Sequence, residues 1–503
     1  MPCIIKQKII HFFFNSTRKK CKIEMQKISD ILNDILSNLK GLLYNCDDII
    51  EIDVYISYFI LLYKLIVYTR DIDAGKGERD LTYMMIDIWY NYFPELAENI
   101  LETIPENYGS WKDLKYFCKY TKNENARNYC IRIWNNQLEK DILNYGKDKE
   151  ISLVSKWIPR EKSTFGWLFE KSAMEWYSRI NTDIHQNSNI IKKEYRLLLS
   201  FLNEKLDTPQ IKETQGKWSK IIPEEISLST KSKQYNTFIN VNNLLELERI
   251  KCKNNFEFYY NNYNKKKDVN EDEKNKRCKS FHLREYCKNP HIQNEKYWNE
   301  IKKDILYSSE INEKRYLLPV VNISITEFDE YLDAISIGCM ISEISAIKNR
   351  MIIYDKYAHW INFTNCNLET KIKKIKEKTI LKGHSNILSV IELLKNTKQD
   401  LTELILVIIS DYSIEPNDLD AKITEKIDKY PLKIIYWNVG SKITPIQYSK
   451  NNILISGCSS SILKNIYQNL EMFTDTYSFI NNIVNHPKYI KVEEYFKQKI
   501  MNE

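Results

Sequence analysis

Glycine and proline are scarce in this sequence, with 11 and 12 residues among 503. Both interrupt helices, so their scarcity favours helices joined by short loops. A hydrophobic fraction of 43% and a charged fraction of 28% exclude a largely disordered chain. The length excludes a single ordinary domain and predicts two main domains.

Long hydrophobic runs are also missing. The most apolar stretch, 54–68, is short and contains Lys64, so it predicts a buried helix and not a membrane span. The N-terminal segment 9–14 is too brief, and too interrupted by His11, for a signal peptide. The 11 cysteines include no CxxC pair, which favours reduced thiols. We therefore expect an intracellular, cytoplasmic protein that has no membrane partner.

Enzyme motifs are absent from the sequence as well. There is no Gly-x-Ser-x-Gly elbow, no His-Glu-x-x-His helix and no phosphate loop. Only seven histidines are present, and His384, the one nearest a candidate site, is better explained as loop surface than as an acid–base catalyst. The sequence predicts a protein that is not an enzyme.

Two kinds of periodicity divide the chain. Apolar residues recur at helical spacing from about residue 24 to 245, which predicts an α-helical array of HEAT-like repeats. From about residue 315, short aliphatic runs alternate with amphipathic helices, which predicts a doubly wound α/β domain with a mostly parallel sheet. The fold class is therefore α plus α/β. The predicted strands are Leu317–Val321, Arg350–Tyr354, Leu404–Ile409, Leu432–Trp437 and Ile453–Ser456.

These patterns predict five parts in the chain. The polar run 261–275, which contains three consecutive lysines and several acidic residues, indicates an exposed insertion between the two main domains. The expected parts are an N-terminal arm and first helix (1–45), a helical domain (46–249), a charged insertion with return helices (250–314), an α/β domain (315–480) and a C-terminal helix (481–503).

Polar side chains follow two of the predicted strands. Asn322, Ser324 and Thr326 come after the first strand, Asp411 comes after the third, and Ser385 precedes a predicted helix. In doubly wound sheets, ligands bind at the carboxyl ends of the strands, near the point where strand order reverses. We expect these five side chains to lie at that edge.

The spacing Asn322-x-Ser324-x-Thr326, followed by Ser385 and Asp411, resembles the metal-ion-dependent adhesion site of von Willebrand A domains. The resemblance implies a von Willebrand A-like domain whose five residues would surround Mg²⁺, a cation that takes hard oxygen ligands. Asn322 stands where the family has an aspartate, which removes a negative charge and leaves Asp411 as the evident anion. We expect a degenerate site without bound cation, with weak Mg²⁺ binding and an unrelated polar loop as the alternatives.

A second resemblance involves segments spread over most of residues 50–475. The chain resembles an uncharacterised family of giant viruses and other eukaryotic lineages, which pairs a helical N-terminal region with a von Willebrand A-like domain. The helical region is distantly similar to the TROVE domain of Ro proteins, mainly through the Arg-Asp…Gly-x-Gly-x-Arg pattern at 70–79. The segments are 68–80, 108–113, 156–160, 206–218, 437–438 and 456–457.

The similarity to Ro proteins, which hold single-stranded RNA, implies an RNA or ribonucleoprotein partner here. Arg70, Lys76, Arg79 and Lys112 are the candidate phosphate contacts, because cationic side chains supply the sequence-independent part of RNA affinity. The alternative is structural: ion pairs within 70–80 would fix a turn between helices, with two glycines at positive φ. The rival function is a protein-interaction or assembly scaffold that acts through the von Willebrand A-like domain.

A final cluster, Cys278-x3-His282-x4-Cys287-x3-His291, offers four ligands that can bind Zn²⁺. Its spacing matches no standard zinc motif, and Pro290 interrupts the second pair. We expect no zinc at this place.

Overall fold

The computed structural model describes most of the chain: residues 2–17, 21–147, 149–180, 187–226, 230–231, 234–239, 246–263, 283–288, 292–307, 315–378, 385–396, 403–412, 433–443, 452–469 and 474–500. These residues fall into two compact units. Met1–Ile88 and Ser280–Glu503 form one, called here the sheet unit, and Trp89–Lys279 form the other, called the helical unit. Among the described residues, no helix is both long and apolar enough to cross a membrane.

Three helices open the sheet unit: α1 (Pro2–Asn15), α2 (Lys22–Asn45) and α3 (Ile49–Arg70). The α3 helix contains the apolar stretch 54–68, and its second half is buried on every side, as predicted. Asp48 caps its start, where the carboxylate accepts a hydrogen bond from the amide of Ile50. Helix α1 packs against the sheet, and α2 and α3 pack against α1, so all three helices belong to the sheet unit.

The division between the units falls inside α4 (Asp80–Tyr92). In the helical unit, α7 packs against α5, α6 and α9, and α9 packs against α10. Its helices are α5 (Pro94–Thr103), α6 (Lys112–Tyr120), α7 (Glu124–Tyr145), α8 (Val154–Trp157), α9 (Gly166–Ile180), α10 (Ser188–Leu206), α11 (Pro209–Thr214), α12 (Tyr235–Phe238) and α13 (Leu247–Tyr263).

The second part of the sheet unit carries a six-stranded sheet. Its helices are α14 (Leu283–Lys288), α15 (Ile292–Tyr307), α16 (Phe328–Ile344), α17 (Leu368–Lys378), α18 (Leu388–Lys395), α19 (Ser460–Asn469), α20 (Thr476–Val484) and α21 (Ile490–Ile500). Its strands are β1 (Leu317–Asn322), β2 (Arg350–Tyr354), β3 (Ala358–Asn362), β4 (Ile405–Ser410), β5 (Lys433–Asn438) and β6 (Asn452–Ser456). These elements confirm the expected α plus α/β fold class.

The strands lie in the order β3-β2-β1-β4-β5-β6, all parallel except β3. Strand order reverses between β1 and β4, so ligands are expected beside the carboxyl ends of these two strands. All six residues of β1 are buried, as in a strand whose two faces are both covered. Helix α16 packs against β1, β2 and β4, while α1 and α20 pack against β6.

The five predicted strands are confirmed to within one residue at each end. Strand β3 was missed, because three of its five residues are exposed and its sequence, Ala-His-Trp-Ile-Asn, lacks an aliphatic run. Helix α17 was also missed, since five of its eleven residues are lysines and its apolar residues are few. The apolar spacing of residues 418–429 also predicts a helix, but these residues lie outside the described part of the chain.

Candidate functional site

Four polar residues end four adjacent strands at the carboxyl edge of the sheet. Asn322 ends β1, Ser410 ends β4, Asn438 ends β5 and Ser456 ends β6. The register places Ser410 beside Asn438 and Asn438 beside Ser456. None of the four is more than 3% exposed. Buried polar groups need hydrogen-bond partners, and the two halves of this row find theirs in different places.

On the β1–β4 half, the partners are local. The Asn322 side-chain oxygen accepts from the Ser324 amide at 2.9 Å and from the Ser324 hydroxyl at 2.7 Å. Because a backbone amide can only donate, this contact fixes the orientation of the Asn322 side chain. Its NH₂ group donates to Ser410 Oγ at 3.0 Å, and the Ser410 hydroxyl donates to Asp411 Oδ1 at 3.4 Å. A directed chain therefore runs from amide to hydroxyl to carboxylate.

The five predicted cation ligands are only partly brought together. Asn322 binds Ser324 directly and reaches Asp411 through Ser410. Thr326 is exposed, and no described hydrogen bond joins it to the others. The Ser385 hydroxyl is buried without a hydrogen-bond partner in the described part of the chain. The next amide, that of Asn386, donates to the carbonyl of Asp355 after β2, so this loop does reach the same sheet edge.

These residues fit Mg²⁺ poorly. The Asn322 oxygen already accepts two hydrogen bonds, and its amide hydrogens point at the hydroxyl that precedes Asp411. Mg²⁺ requires oxygen ligands in a near-ideal octahedron, commonly with one or two carboxylates. No group of three histidine, cysteine or acidic side chains with metal-binding geometry occurs among the described residues.

On the β5–β6 half, the partners come from the C-terminal end of α1. Asn438 Nδ2 donates to the Phe14 carbonyl at 3.1 Å, and Ser456 Oγ donates to the Phe13 carbonyl at 2.5 Å. The Thr17 hydroxyl donates to the Gly440 carbonyl. The last carbonyls of a helix lack partners within it, so the strand ends complete the hydrogen bonding of α1. The chain itself therefore covers this half of the edge.

A buried lysine joins the same contact. Lys76 is fully buried, and its ammonium donates to the Ser16 carbonyl at 2.6 Å, to Ser456 Oγ at 2.7 Å and to the Phe13 carbonyl at 3.3 Å. It also lies 4.1 Å from the centre of the Phe13 ring. A cation at the C-terminal end of a helix is stabilised by the helix dipole. Lys76 thus connects α1, the loop after α3 and strand β6.

The loop geometry explains the two glycines beside Lys76. A Cβ on Gly75 would lie 1.9 Å from the Tyr68 carbonyl oxygen, so only glycine fits there. Gly77 has φ 71°, which glycine adopts without strain. The Lys76 and Glu78 amides donate to the carbonyls of Tyr68 and Thr69, and these bonds fold the loop back onto the end of α3.

The prediction that Arg70 and Lys76 contact phosphate is therefore wrong. Arg70 is 2% exposed and Lys76 is fully buried, because the loop turns inward. Arg79 is exposed in the sheet unit, and Lys112 is half-buried at the start of α6 in the helical unit. The segments that suggested a family resemblance, 68–80, 437–438 and 456–457, meet at the contact with α1. Their contacts there are structural. Of the two glycines that the structural alternative placed at positive φ, Gly77 has a positive φ, whereas Gly75 does not and is required by the close approach of the Tyr68 carbonyl.

A different cationic surface lies on the helical unit, and we call it the α6 cluster. Lys112, Lys115 and Lys156 lie 5.6, 5.4 and 5.7 Å from the centre of the Trp157 ring. Lys115 and Lys119 lie 5.3 and 5.8 Å from the Phe165 ring, which packs edge-on against Tyr116. The cluster consists of Lys112, Lys115, Tyr116, Lys119, Lys156, Trp157 and Phe165.

The spacing of these lysines places them on one side of α6, since residues three or four apart share a helix face. Burial lowers the pKa of Lys115. Burial also lowers the pKa of Lys156, against an opposing attraction from Glu213. Lys156 also donates to Gln210 at 2.9 Å. Ammonium groups gathered around the same two rings favour an anionic partner. Tyr116 is 37% exposed and offers an accessible ring beside them.

A second aromatic position lies nearby in sequence, at the start of α9. The Trp167 ring is 39% exposed and lies 5.1 Å from the Arg127 guanidinium and 5.9 Å from the Lys171 ammonium. Both cations also pair with Glu124, which reduces their net charge. This position is therefore a weaker candidate for an anion than the α6 cluster.

Sequence reasoning identified one member of the α6 cluster, Lys112, as a phosphate contact. The sequence does not single out Trp157, because a tryptophan among polar residues is equally well explained as a buried anchor. Trp111, which also has polar neighbours, is such an anchor at 8% exposure. The available signal was the spacing Lys112, Lys115, Lys119, which is one helix face. Only the fold brings 156–165 to that face.

The predicted absence of zinc concerns residues that are mostly outside the described ranges, since Cys278, His282 and His291 lie there. Cys287 is described and buried, and burial raises the pKa of its thiol well above the usual value.

A scan against protein-family models finds no match for this chain. A search of curated proteins finds none that is similar.

Proposed function

We propose that this chain binds single-stranded RNA without catalysing a reaction, and that the α6 cluster is the contact surface. The carrying observation is the placement of four lysines around the Trp157 and Phe165 rings. Proteins that bind single strands combine cations, which neutralise phosphates, with aromatic rings, on which bases stack. Each exposed base that stacks contributes about 1–3 kcal/mol.

The proposal includes a domain assignment. We assign residues 46–249 to a TROVE-like array of HEAT-like repeats and residues 315–480 to a von Willebrand A-like domain with a degenerate cation site. The strand order and the polar residues that end β1 and β4 support the second assignment. The similarity to Ro proteins supports an RNA partner, although Arg70 and Lys76 take no part in binding it.

The experiment measures fluorescence anisotropy of a labelled single-stranded RNA at several salt concentrations. We expect the Lys115→Gln/Lys119→Gln variant to bind more weakly at low salt. Its slope of log affinity against log salt should fall by about 1.4, since each phosphate contact on a single strand contributes about 0.7. The Lys140→Gln/Lys147→Gln variant, which removes the same charge from exposed positions of the helical unit, is the control.

Two results would decide against the proposal. If the native chain shows no binding at low salt, the RNA function is lost and the scaffold function takes its place. If the control variant weakens binding as much as the α6 variant, binding depends on net charge and the α6 cluster is not the contact surface.

A further inference from the structure

The sheet unit contains a polar cavity at the amino edge of the sheet, opposite the strand ends described above. Its volume is about 340 Å³, within the range of small-ligand sites. It lies between α15, the end of α16, the loop before β2 and the start of α17. Its polar lining includes Asn299, Lys302, Glu343, Lys348, Asn365 and Lys371.

A carboxylate whose side chain is 10% exposed organises this cavity. Glu343 accepts hydrogen bonds from Trp298 Nε1 at 3.0 Å, from Lys302 Nζ at 2.9 Å and from Lys371 Nζ at 2.5 Å. Burial alone would raise the pKa of Glu343, but the two ammonium groups outweigh it and hold the pKa below its usual value. At neutral pH the carboxylate is charged and holds both lysines in fixed positions.

Hydrogen-bond donors outnumber acceptors in the cavity. Each ammonium has three N–H donors, and the described hydrogen bonds of Lys302 and Lys371 use one apiece, on Glu343. Lys348 adds a third ammonium at the rim, where it is exposed. Three lysines against one glutamate give the lining a net charge of about +2 at neutral pH.

The start of α17 adds to the positive potential. Cys366 and Leu368, which flank the first turn of this helix, line the cavity. Asn367 accepts the Thr370 amide at 2.9 Å, and the other first-turn amides carry the positive end of the helix dipole. The first-turn carboxylate, Glu369, is exposed and does not line the cavity.

We propose that this cavity binds the phosphate group of a phosphate monoester. Such a group carries about −1.5 to −2 charges at pH 7 and three acceptor oxygens, which match the net charge and the surplus donors. The volume leaves room for an organic group beyond the phosphate. The ligand is either a free monoester or the phosphorylated end of an oligonucleotide, since both present the same group.

Calorimetric titration of the full chain tests the proposal with AMP and adenosine as probes. We expect saturable binding of AMP with a Kd below about 1 mM, and none of adenosine. Lys302→Gln and Lys348→Gln should each weaken AMP binding by about tenfold, as expected for loss of a charged hydrogen bond. Lys373→Gln, which removes an exposed lysine of α17 outside the cavity, should leave it unchanged.

Further measurements distinguish the two sources of the phosphate group and show which results would overturn the proposal. A short 5′-phosphorylated oligonucleotide that displaces AMP, when its 5′-hydroxyl form does not, would identify a nucleic-acid end as the ligand, and no displacement would identify a free monoester. Failure of AMP to bind up to about 10 mM overturns the proposal. Equal weakening by Lys373→Gln also overturns it. Lys348 is exposed, so its variant tests the site even if Lys302→Gln unfolds.

Discussion

Replacing Lys76 by methionine tests the contact between α1 and the sheet edge. Methionine is close to lysine in length, so the substitution removes the ammonium with little change in packing. The Ser16 carbonyl would keep only a 3.4 Å contact with Ser456 Oγ, and Ser456 Oγ would lose its strongest donor. Phe13 would retain the Ser456 hydroxyl as a donor.

The magnitude follows from these two weakened acceptors. A buried acceptor left without a partner costs about 1–3 kcal/mol, and the lost interaction with the α1 dipole adds up to about 1 kcal/mol. Relief from burying a charge offsets part of this loss. We expect Lys76→Met to lower the free energy of unfolding of the sheet unit by about 2–4 kcal/mol.

The assay is hydrogen exchange measured on α1 and β6, which reports the sheet unit alone. The control is Lys27→Met, whose ammonium pairs with Glu24 at 2.8 Å on the exposed surface of α2. Exposed ion pairs contribute about 1 kcal/mol or less, so the control should change protection little. If Lys76→Met and Lys27→Met show the same protection in α1 and β6, the assigned role of Lys76 is refuted.

Three further predictions concern the same unit. Gly75→Ala should destabilise the sheet unit by about 3 kcal/mol or more, because the new Cβ would clash with backbone atoms. Gly41→Ala, which adds a Cβ in open space on a helix, should stabilise the unit by about 0.5–1 kcal/mol. Thermal melts of the two variants measure both changes. Mg²⁺ should not change the melting temperature of the native chain, and it should clearly raise that of Asn322→Asp. If Mg²⁺ does raise the melting temperature of the native chain, and Asp411→Ala abolishes this rise, the natural site binds the cation. Folding lowers the pKa of Glu343. The stability that this carboxylate contributes is therefore present above the usual glutamate pKa, and it is lost as the pH falls through the lowered pKa. Acid titration should therefore show the stability advantage over Glu343→Gln shrinking as the pH falls below about 4.3, the usual glutamate pKa. An advantage independent of pH would contradict the assigned charge state.

Local patterns were sufficient for much of the fold. Runs of aliphatic residues predicted five strands, since buried parallel strands read as continuous hydrophobic segments. Alternation of those runs with helical periodicity predicted the parallel sheet. The antiparallel edge strand β3 was not predicted, because an edge strand is half exposed and needs no continuous aliphatic run. Its pairing with β2 is a tertiary fact.

The candidate site divides in the same way. The sequence placed Asn322 and Asp411 at strand ends, and the structure joins them through Ser410. Ser410 comes directly after the predicted strand Leu404–Ile409. It could not show that α1 would cover the neighbouring strand ends, because the bonded residues Phe14 and Asn438 are more than four hundred positions apart in the chain.

Local sequence patterns predicted five of the six described strands, the α plus α/β class and the strand-end position of the polar residues, because these depend on the spacing of apolar and polar side chains along the chain. Which lysines are exposed depends on the tertiary structure. Lys76 and Lys112 lie in similar turn-rich segments, yet Lys76 is fully buried between α1 and β6, while Lys112 borders the Trp157 ring. Burial depends on what distant segments bring to a residue, and no local pattern contains that information.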